Sequence, residues 1–358
     1  MESKIIQRIA AETAVPRLLT ILAAELSASD LQSLLLAVYQ RRAQTSRASV
    51  ILARAVQNPL FAPTTVDARL LNTFDRIAFE CATNFEALDL APVIPLGTTS
   101  LLGGIDQNSL LTTIRNAEVL GDSTPAMALE CGRRRQPQAQ RKDSPPVRLC
   151  SSHRVVRLQP FDFPGYTPHF RLFALATAGR DTGSGSFERQ HLGEHIRFYL
   201  DLFRALNSAG FQLTSPLVEI SDVSITEKLL GGAGVSLEQV RESVRAHIPG
   251  SSERFFSERG ITLAAAPGNP AQGLADALAA EYPEAVFRFN HARLEGLGYY
   301  TGLCLRISPI APDGVRYPIA DGGFTGWTAR LLQDKKERLL TSGIGSEFVC
   351  RRYLSGAK

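Results

Sequence analysis

The chain has 358 residues, of which 44% are hydrophobic and 21% are charged, and its formal net charge is +4 at pH 7. These values are typical of a globular protein with one large domain and an extension, or with two domains. No apolar run approaches the roughly 18 residues that a membrane span needs, and MESKIIQRIAAETAVPRLL lacks the apolar block of a secretory signal. The five cysteines are scattered and never spaced as CxxC, which argues against a disulfide framework or a zinc cluster and predicts a reducing cytoplasm.

Two helical regions are predicted before the first strand. Leu31, Leu34 and Val38 recur at helical spacing within residues 1–65, which we expect to form a helical N-terminal extension. The basic run QRRAQTSR that follows them is typical of a solvated surface. A second amphipathic pattern opens the core predicted for residues 66–358 and is formed by Leu70, Phe74, Ile77, Ala78 and Cys81.

The remaining segments predict a sheet with helices beside it. HFRLFALATA, residues 169–178, is typical of a buried strand, and a strong helix follows it after a Gly/Ser loop and ends near Gly210. Residues 215–285 mix short helices with turn clusters, and we expect them to form a small helical insertion. Neither a βαβ phosphate fingerprint nor a Walker A sequence occurs. An antiparallel sheet with flanking helices is therefore favoured over a doubly wound parallel sheet.

The segment GRRRQPQAQRKDSPP, residues 132–146, is rich in Arg, Gln and Pro and shows no periodicity. We expect it to be a surface loop, because its flanks belong to one fold. Its five basic residues are typical of solvated side chains, and contact with RNA is the alternative.

The stretch EGLGYYTGLCLRI, residues 295–307, begins with two tyrosines between glycines and then alternates as a strand. One face carries Thr301, Leu303 and neighbouring apolar residues, whereas the other begins with Tyr300 and Gly302. A glycine beside a phenol leaves room for a ligand against the sheet. The alternative is an ordinary core strand with a tyrosine at its edge.

The same stretch resembles the histidine-recognition motif of the histidyl-tRNA synthetase family, R-G-L-D-Y-Y-T-G followed by a strand. Other segments follow the order of that family. TFDRIAFECATNFEALDLAPVIP is similar to motif 1 of class II synthetases, and VLGDSTPAMALE lies where the family has L-R-P-E-G-T. FRLFALATAGRD with SFERQHLGEH is similar to motif 2, an arginine-bearing strand, a loop and a returning strand. ADGGFTGWTARL lies where the family has G-G-R-Y-D-G-L, and GIGSEFVCRRY resembles motif 3.

This resemblance covers residues 66–353 and implies an α+β fold, a class II synthetase-like core with an antiparallel sheet of about six strands flanked by helices. It also implies a homodimer, because the family dimerises through motif 1. The family carries an anticodon-binding domain after motif 3, whereas only LSGAK follows Tyr353 here. We therefore expect no anticodon reading by that route.

An amino-acid site is implied by the same resemblance. Asp122 and Thr124, in GDSTP, match the residues with which the family holds the α-amino group, and a carboxylate there forms a charge-assisted hydrogen bond with an ammonium. Gln190 and Glu194 reproduce the Q-x-x-x-E spacing at the end of motif 2. On a returning strand, residues four apart point to the same side, so both would face one ligand.

The tyrosine doublet would complete this amino-acid site. Tyr300, helped by Tyr299, would present a phenol to a polar side chain such as an imidazole. We expect the doublet, the aspartate of GDSTP and the QHLGE pair to converge on one cleft. The structural alternatives are an Asp122 that caps a helix, a Gln190 and a Glu194 on the surface, and a Tyr300 in the core.

The nucleotide end of the motif set departs from the family. Arg180 matches the motif 2 arginine that would contact the α-phosphate of ATP, held with Mg²⁺, and Arg189 would help it. Motif 3 has Cys350 where the family has an arginine, and Arg351 is one residue late. Glu295 replaces the arginine of the histidine motif, and a carboxylate there would repel a phosphate. Gly298 and Phe324-Thr325-Gly326 also depart from the family pattern.

Two functions follow from these departures. The first is an enzyme that adenylates a histidine-like amino acid with ATP and passes it to a carrier acceptor. The second is a catalytically silent sensor that binds an amino acid and regulates an enzyme, as the regulatory subunit of ATP phosphoribosyltransferase does, although the L-P-x-G-x-x-D element of that family is missing. No metal site is expected, because His191 and His195, four residues apart, lie where an apolar helix begins.

Overall fold

The structure is a computed structural model that describes residues 4–138, 141, 144–158, 167–245, 251–261 and 272–354. The α-helices are α1 (Lys4–Glu12), α2 (Leu18–Thr20), α3 (Ala28–Gln44), α4 (Ala48–Gln57), α5 (Ala68–Cys81), α6 (Thr98–Gly103), α7 (Ser123–Arg135), α8 (Ser186–Ser208), α9 (Val223–Gly232), α10 (Leu237–Arg245), α11 (Ser251–Glu258), α12 (Gln272–Glu281), α13 (Trp327–Leu332) and α14 (Ser346–Arg352). The strands are β1 (Glu86–Ala87), β2 (Val93–Pro95), β3 (Ala117–Val119), β4 (Val147–Val156), β5 (His169–Arg180), β6 (Thr214–Asp222), β7 (Val286–Phe289), β8 (Leu303–Ile310), β9 (Ala320–Thr325) and β10 (Glu337–Ile344).

The first four helices form the N-terminal part of the chain, and none of their residues is buried. A π-helical turn, Ile21–Glu25, continues α2, and a 3-10 turn, Pro59–Phe61, follows α4. The secondary structure of this segment is therefore helical, as its sequence predicts. None of the helices in the described ranges is both long enough and apolar enough to cross a membrane.

The centre of the fold is an eight-stranded sheet with the order β1-β4-β5-β10-β9-β8-β6-β7, and β2 pairs with β3 in a separate ribbon. Six strands, β4-β5-β10-β9-β8-β6, form the inner part of the sheet, and each adjacent pair among them is antiparallel. The predicted α+β fold with an antiparallel sheet between helices is thus confirmed. The two edge strands differ, since β1 runs parallel to β4 and β7 runs parallel to β6. Long helical connections precede both parallel pairings, as a parallel crossover requires.

Helices cover both faces of the sheet, and alternate residues of β5 show which helix lies on which face. Ala174, Ala176 and Ala178 pack against Met127 and other residues of α7. The alternate residues, which include Phe173, point to the opposite face, where Phe173 stacks on Phe198 of α8. Helices α5, α8, α12 and α14 lie with this second face, and α7 and α13 lie on the first.

Three segments depart from the expected organisation. SFERQHLGEH is not a returning strand, because all of it lies in α8, where its apolar residues face the core at helical spacing. Residues 215–222, assigned to the insertion, belong to strand β6 of the eight-stranded sheet. In the basic segment, Arg135 is a buried residue of α7 that donates to the buried Glu337, so it is not a loop residue. Residues 139, 140, 142 and 143 of that segment lie outside the described residues.

His195 is the polar centre of the interface between α8 and the sheet. Its ring is fully buried and shares hydrogen bonds with Thr177 Oγ1, at 3.0 Å, and with Ser342 Oγ, at 2.8 Å. Burial lowers the pKa of His195 to about 3. The imidazole therefore stays neutral and joins α8 to β5 and β10 through two hydroxyl groups.

We expect His195 to make the protein sensitive to mild acid. The imidazole of the unfolded chain titrates at about pH 6.5, so the unfolded state takes up a proton that the folded state rejects. The contribution of the neutral His195 to the free energy of unfolding is fully present above about pH 6.5, and it decreases as the pH falls towards the folded pKa of about 3. His195→Gln keeps hydrogen-bonding groups without titrating, so its free energy of unfolding in urea should decline less between about pH 6.5 and about pH 4.5. An equal decline in both proteins would contradict this assignment.

Candidate functional site

The sequence GDSTP places a carboxylate at the start of α7. Asp122 is extended, with φ −157° and ψ 142°, and its Oδ1 accepts from the Thr124 amide at 2.9 Å and from Thr124 Oγ1 at 3.0 Å. This is an N-cap, which satisfies donors that the first helical turn leaves without partners. Asp122 is therefore a helix cap, and its orientation is fixed at the N-terminal end of α7.

Arg157, which the motif comparison did not select, holds the other side of this carboxylate. Val156, the last residue of β4, donates its amide to the Leu120 carbonyl at 2.8 Å, which brings the end of the strand beside Asp122. Arg157 then donates to the Gly121 carbonyl at 2.8 Å and to Asp122 Oδ2 at 2.9 Å. An ionised carboxylate offers about four acceptor positions, and three are occupied here.

Tyr299 joins this ion pair to the sheet. Its hydroxyl lies 3.3 Å from Thr124 Oγ1, and its ring contacts the rings of Tyr300, at 4.9 Å, and Trp327, at 5.1 Å. Burial, followed by the negative charge of Asp122, raises the pKa of Tyr299 well above its ordinary value. The phenol therefore stays protonated, and its ring separates two polar clusters.

The second cluster surrounds Asp321 on β9. Its carboxylate accepts from the Tyr300 hydroxyl at 2.6 Å and from Arg293 Nη2 at 2.7 and 2.9 Å. The Arg293 side chain is only 2% exposed, whereas the Asp321 side chain is 41% exposed. Arg306 approaches both Asp321 and Glu295 at 3.4 Å. A buried arginine and a buried phenol therefore orient a carboxylate that reaches solvent.

Glycines make room for the ring of Tyr300. A Cβ atom at Gly296 would lie 2.5 Å from Tyr300 Cδ2, and one at Gly323 would lie 2.7 Å from Tyr300 Cδ1. Gly296 also has φ +89°, which other residues rarely adopt. By contrast, a Cβ atom at Gly302 would meet nothing within 4 Å. The glycines around the doublet thus act differently: two admit the tyrosine ring and one borders open space.

Gln190 and Glu194 lie on the opposite face of the sheet from Asp122. Both belong to α8, where the exposed Gln190 donates to Glu194 Oε1 at 3.2 Å. Burial raises the pKa of Glu194, but hydrogen bonds from His191 and Arg148 outweigh it and lower the pKa to about 2. The expectation that this pair converges with Asp122 and the tyrosines on one cleft is therefore wrong. The reason is that both residues lie on a helix, α8, which packs on the sheet face opposite α7, and not on a returning strand.

The arginines selected for phosphate contact are also dispersed. Arg180, at the end of β5, pairs with Asp334 at 2.7 Å. Arg157 lies beside the other end of β5, because its amide donates to the Pro168 carbonyl. A strand rises about 3.3 Å per residue, so the twelve residues of β5 separate the two arginines by roughly 36 Å. Arg189 donates to the Ser184 carbonyl in the turn before α8, and Arg351 pairs with Glu347 within α14, on the α8 face.

The arginines of the two clusters around the doublet are not arranged for a nucleotide. ATP requires unshared cations for its phosphates, but here Arg157 pairs with Asp122, Arg293 with Asp321, and Arg306 with Glu295 and Asp321. Arg241 of α10, whose guanidinium lies beside Gly298, is exposed and belongs to neither cluster. The described residues also contain no group of three or more His, Cys, Asp and Glu side chains that could hold a metal ion. The role of Arg180, Arg189 and Arg351 in nucleotide binding stays a prediction, and no reaction step is derived from ATP or Mg²⁺.

Two signals in the sequence identify the residues that were missed. PVRLCSSHRVVR and HFRLFALATAGR are two strand-like segments separated by a Pro- and Gly-containing stretch, and they pair as the antiparallel hairpin β4–β5. The strand–loop–strand unit thus lies one segment earlier than the predicted one, and its first strand brings Arg157 to the site. The second signal is the glycine pair that follows Asp321: Gly322 lies against Ser342 of β10, and Gly323 lies against Tyr300.

Comparison with known proteins supports the fold. No protein-family model matches the chain, and no curated protein matches its sequence. Solved structures do match its fold, among them the following three. An ATP phosphoribosyltransferase regulatory subunit/histidyl-tRNA synthetase from Bacillus halodurans is 16% identical, with a TM-score of 0.58 and 80% coverage of each chain. A histidine–tRNA ligase subunit from Alicyclobacillus acidocaldarius is 15% identical, with a TM-score of 0.56, over 81% of this chain and 94% of that chain. A histidyl-tRNA synthetase from a Nostoc species is 14% identical, with a TM-score of 0.51, over 81% of this chain and 73% of that chain.

These similarities confirm the resemblance at the level of the fold. The chain has the class II synthetase-like fold that the regulatory subunit and the synthetases share. Identities of 14 to 16% do not transfer a ligand or a reaction.

We expect the two glycines to respond differently to one added methyl group. Gly323→Ala forces a Cβ atom to within 2.6 Å of Cys304 Cβ and 2.7 Å of Tyr300 Cδ1, and overpacking of this kind costs about 1–3 kcal/mol. Gly302→Ala meets no atom and should change the free energy of unfolding by about 0.5 kcal/mol or less. Urea unfolding of both variants measures the difference. Equal stabilities would show that Tyr300 does not occupy the space beside Gly323.

Proposed function

We propose that the chain binds an amino acid through Asp122 and Thr124, without adenylating it, and thereby regulates a partner enzyme. The observation that carries the proposal is the state of the charges around the tyrosine doublet. Arg157, Arg293 and Arg306 are each paired with a carboxylate of these two clusters, so an α-ammonium finds acceptors there, whereas an α-phosphate would have to displace a carboxylate from each of these arginines.

The amino-acid end is compatible with a ligand of this class. Asp122 retains one of its acceptor positions, and its side chain is 15% exposed. A hydrogen bond between an ammonium and a carboxylate is about twice as strong as a neutral one. Tyr299, Tyr300 and Asp321 lie on the same face of the sheet and would meet the rest of the ligand, for which a histidine-like side chain with its two nitrogens is suitable.

The structural neighbour from Bacillus halodurans carries the name of a regulatory subunit of ATP phosphoribosyltransferase. By analogy, the regulated partner we propose is an enzyme of that kind, and the chain would act as a homodimer in the cytoplasm. The second candidate is the adenylating enzyme, in which Arg157 would leave Asp122 to contact ATP and a carrier would accept the amino acid. One observation favours the adenylating enzyme: the Arg157 side chain, just after β4, is 27% exposed and is therefore accessible to a ligand.

We expect amino-acid binding to depend on Asp122 and not on Gln190. A ligand at 100 times its dissociation constant stabilises the folded state by about 2.7 kcal/mol, so a thermal melt against each amino acid, histidine first, identifies the ligand. Asp122→Asn still caps α7 but loses the charge-assisted bond, which should weaken binding roughly tenfold or more. Gln190→Ala, on the other face of the sheet, is the matched control and should bind as the unchanged protein does.

The exchange of pyrophosphate into ATP separates the two candidates. Binding of an amino acid without amino-acid-dependent exchange supports the sensor. Exchange that disappears in Arg157→Ala supports the enzyme and overturns the proposal. If no amino acid raises the melting temperature, or if Gln190→Ala abolishes the rise while Asp122→Asn keeps it, the assigned site is wrong.

A further inference from the structure

The connection between α3 and α4 forms a basic concavity far from the tyrosine doublet in the sequence. A cavity of about 410 Å³ is lined by Arg42, Thr45, Ser46, Arg47, Val50 and Arg54. Arg42 lies in the last turn of α3, whereas Arg47, the N-cap of α4, is followed by Val50 and Arg54 at spacings of three and four residues. The bend in the chain therefore directs three guanidinium groups, two from α4 and one from α3, towards one space. We call these six residues the arginine elbow.

The charge of the arginine elbow is not neutralised within its own segment. No Asp or Glu occurs between Asp30 and Asp67, so the four arginines of that stretch, Arg41 among them, have no acidic neighbour in the sequence. No ion pair joins the arginines of the elbow to a carboxylate in the described part of the chain. This contrasts with Arg8, Arg17 and Arg76 of the adjoining helices, each of which pairs with a glutamate.

The backbone of the elbow adds to this positive potential. Arg47 is the N-cap of α4, but its side chain makes no capping hydrogen bond, so the first turn of α4 faces the bend without a side-chain acceptor. The hydroxyl groups of Thr45 and Ser46 donate to the Arg42 carbonyl at 2.9 and 3.3 Å. These hydroxyl hydrogens are therefore used at the C-terminal end of α3, and the guanidinium groups are the donors that remain for a ligand.

We propose that the arginine elbow binds a phosphate group, independently of any amino acid bound beside the sheet. A phosphate monoester carries a charge of about −1.5 to −2 at pH 7 with three acceptor oxygens, and guanidinium groups bind such oxygens in pairs. A single carboxylate occupies one arginine fork, whereas three converging arginines match a group with more oxygens and more charge. The cavity volume of about 410 Å³ lies in the range of small-ligand sites.

The test uses the full chain and inorganic pyrophosphate as the probe, in titration calorimetry at constant ionic strength maintained with sodium chloride. Arg47→Gln combined with Arg54→Gln removes two of the three cations from exposed positions, so helicity by circular dichroism should be unchanged. Binding should weaken roughly tenfold or more, because each charge-assisted bond contributes strongly. Arg69→Gln combined with Arg115→Gln is the matched control, since it changes the net charge equally from exposed positions elsewhere.

The outcomes separate the site from general charge and from the source of the phosphate. Binding that is lost in the elbow variant and kept in the control supports the proposal, whether or not any amino acid raises the melting temperature. An equal loss in both variants, or no binding of pyrophosphate and none of anionic vesicles, overturns it. Phosphatidylglycerol vesicles are the second arm, with phosphatidylcholine vesicles for comparison. Elbow-dependent binding of the anionic vesicles alone assigns the phosphate to a lipid headgroup, and binding of pyrophosphate alone assigns it to a free ligand.

Discussion

The alternation of side chains along β5 decides which residues of this protein can act together. Ala174, Ala176 and Ala178 face α7, whereas Phe173 and Thr177 face α8. Because helices cover both faces, a side chain on one face cannot reach a ligand on the other. The α7 face holds the helix cap, the ion pair beside it and the tyrosine doublet. The α8 face is a closed core, and its polar groups bond to one another.

A small residue at the centre of the α7 face explains how polar side chains gather there. A Cβ atom at Gly323 would come within 2.7 Å of Tyr300 Cδ1 on this face, whereas Gly322 is opposite Ser342 on the α8 face. The strands therefore carry no bulk at that point, and the ring of Tyr300 fills the space. Its hydroxyl binds Asp321, which Arg293 also holds. The same contacts that stabilise the doublet therefore also neutralise the buried Arg293.

Much of the architecture could be predicted from the sequence, because it depends on local patterns. Helix α5, strand β5 and the cap at Asp122 follow from periodicity and from the GDSTP signature. The α8 assignment failed at its first turns because the motif comparison took precedence over helical spacing. Strand β4 was missed because VRLCSSHRVV lacks strict alternation, and with it Arg157 was missed. Pairings such as Arg135 with Glu337 and Tyr300 with Asp321 join distant parts of the chain, and no local pattern records them.

The distribution of arginines separates the two parts of the chain. In the sheet region, several arginines are held by carboxylates at low exposure, as Arg135 and Arg293 are. Such pairs orient structure and have little remaining attraction for an anion, since the partner has already compensated the charge. In α3 and α4 the arginines are exposed and have no acidic neighbours between Asp30 and Asp67. The residues between Asp30 and Asp67 therefore carry a net charge of +4 from these four arginines, as large as the net charge of the whole chain.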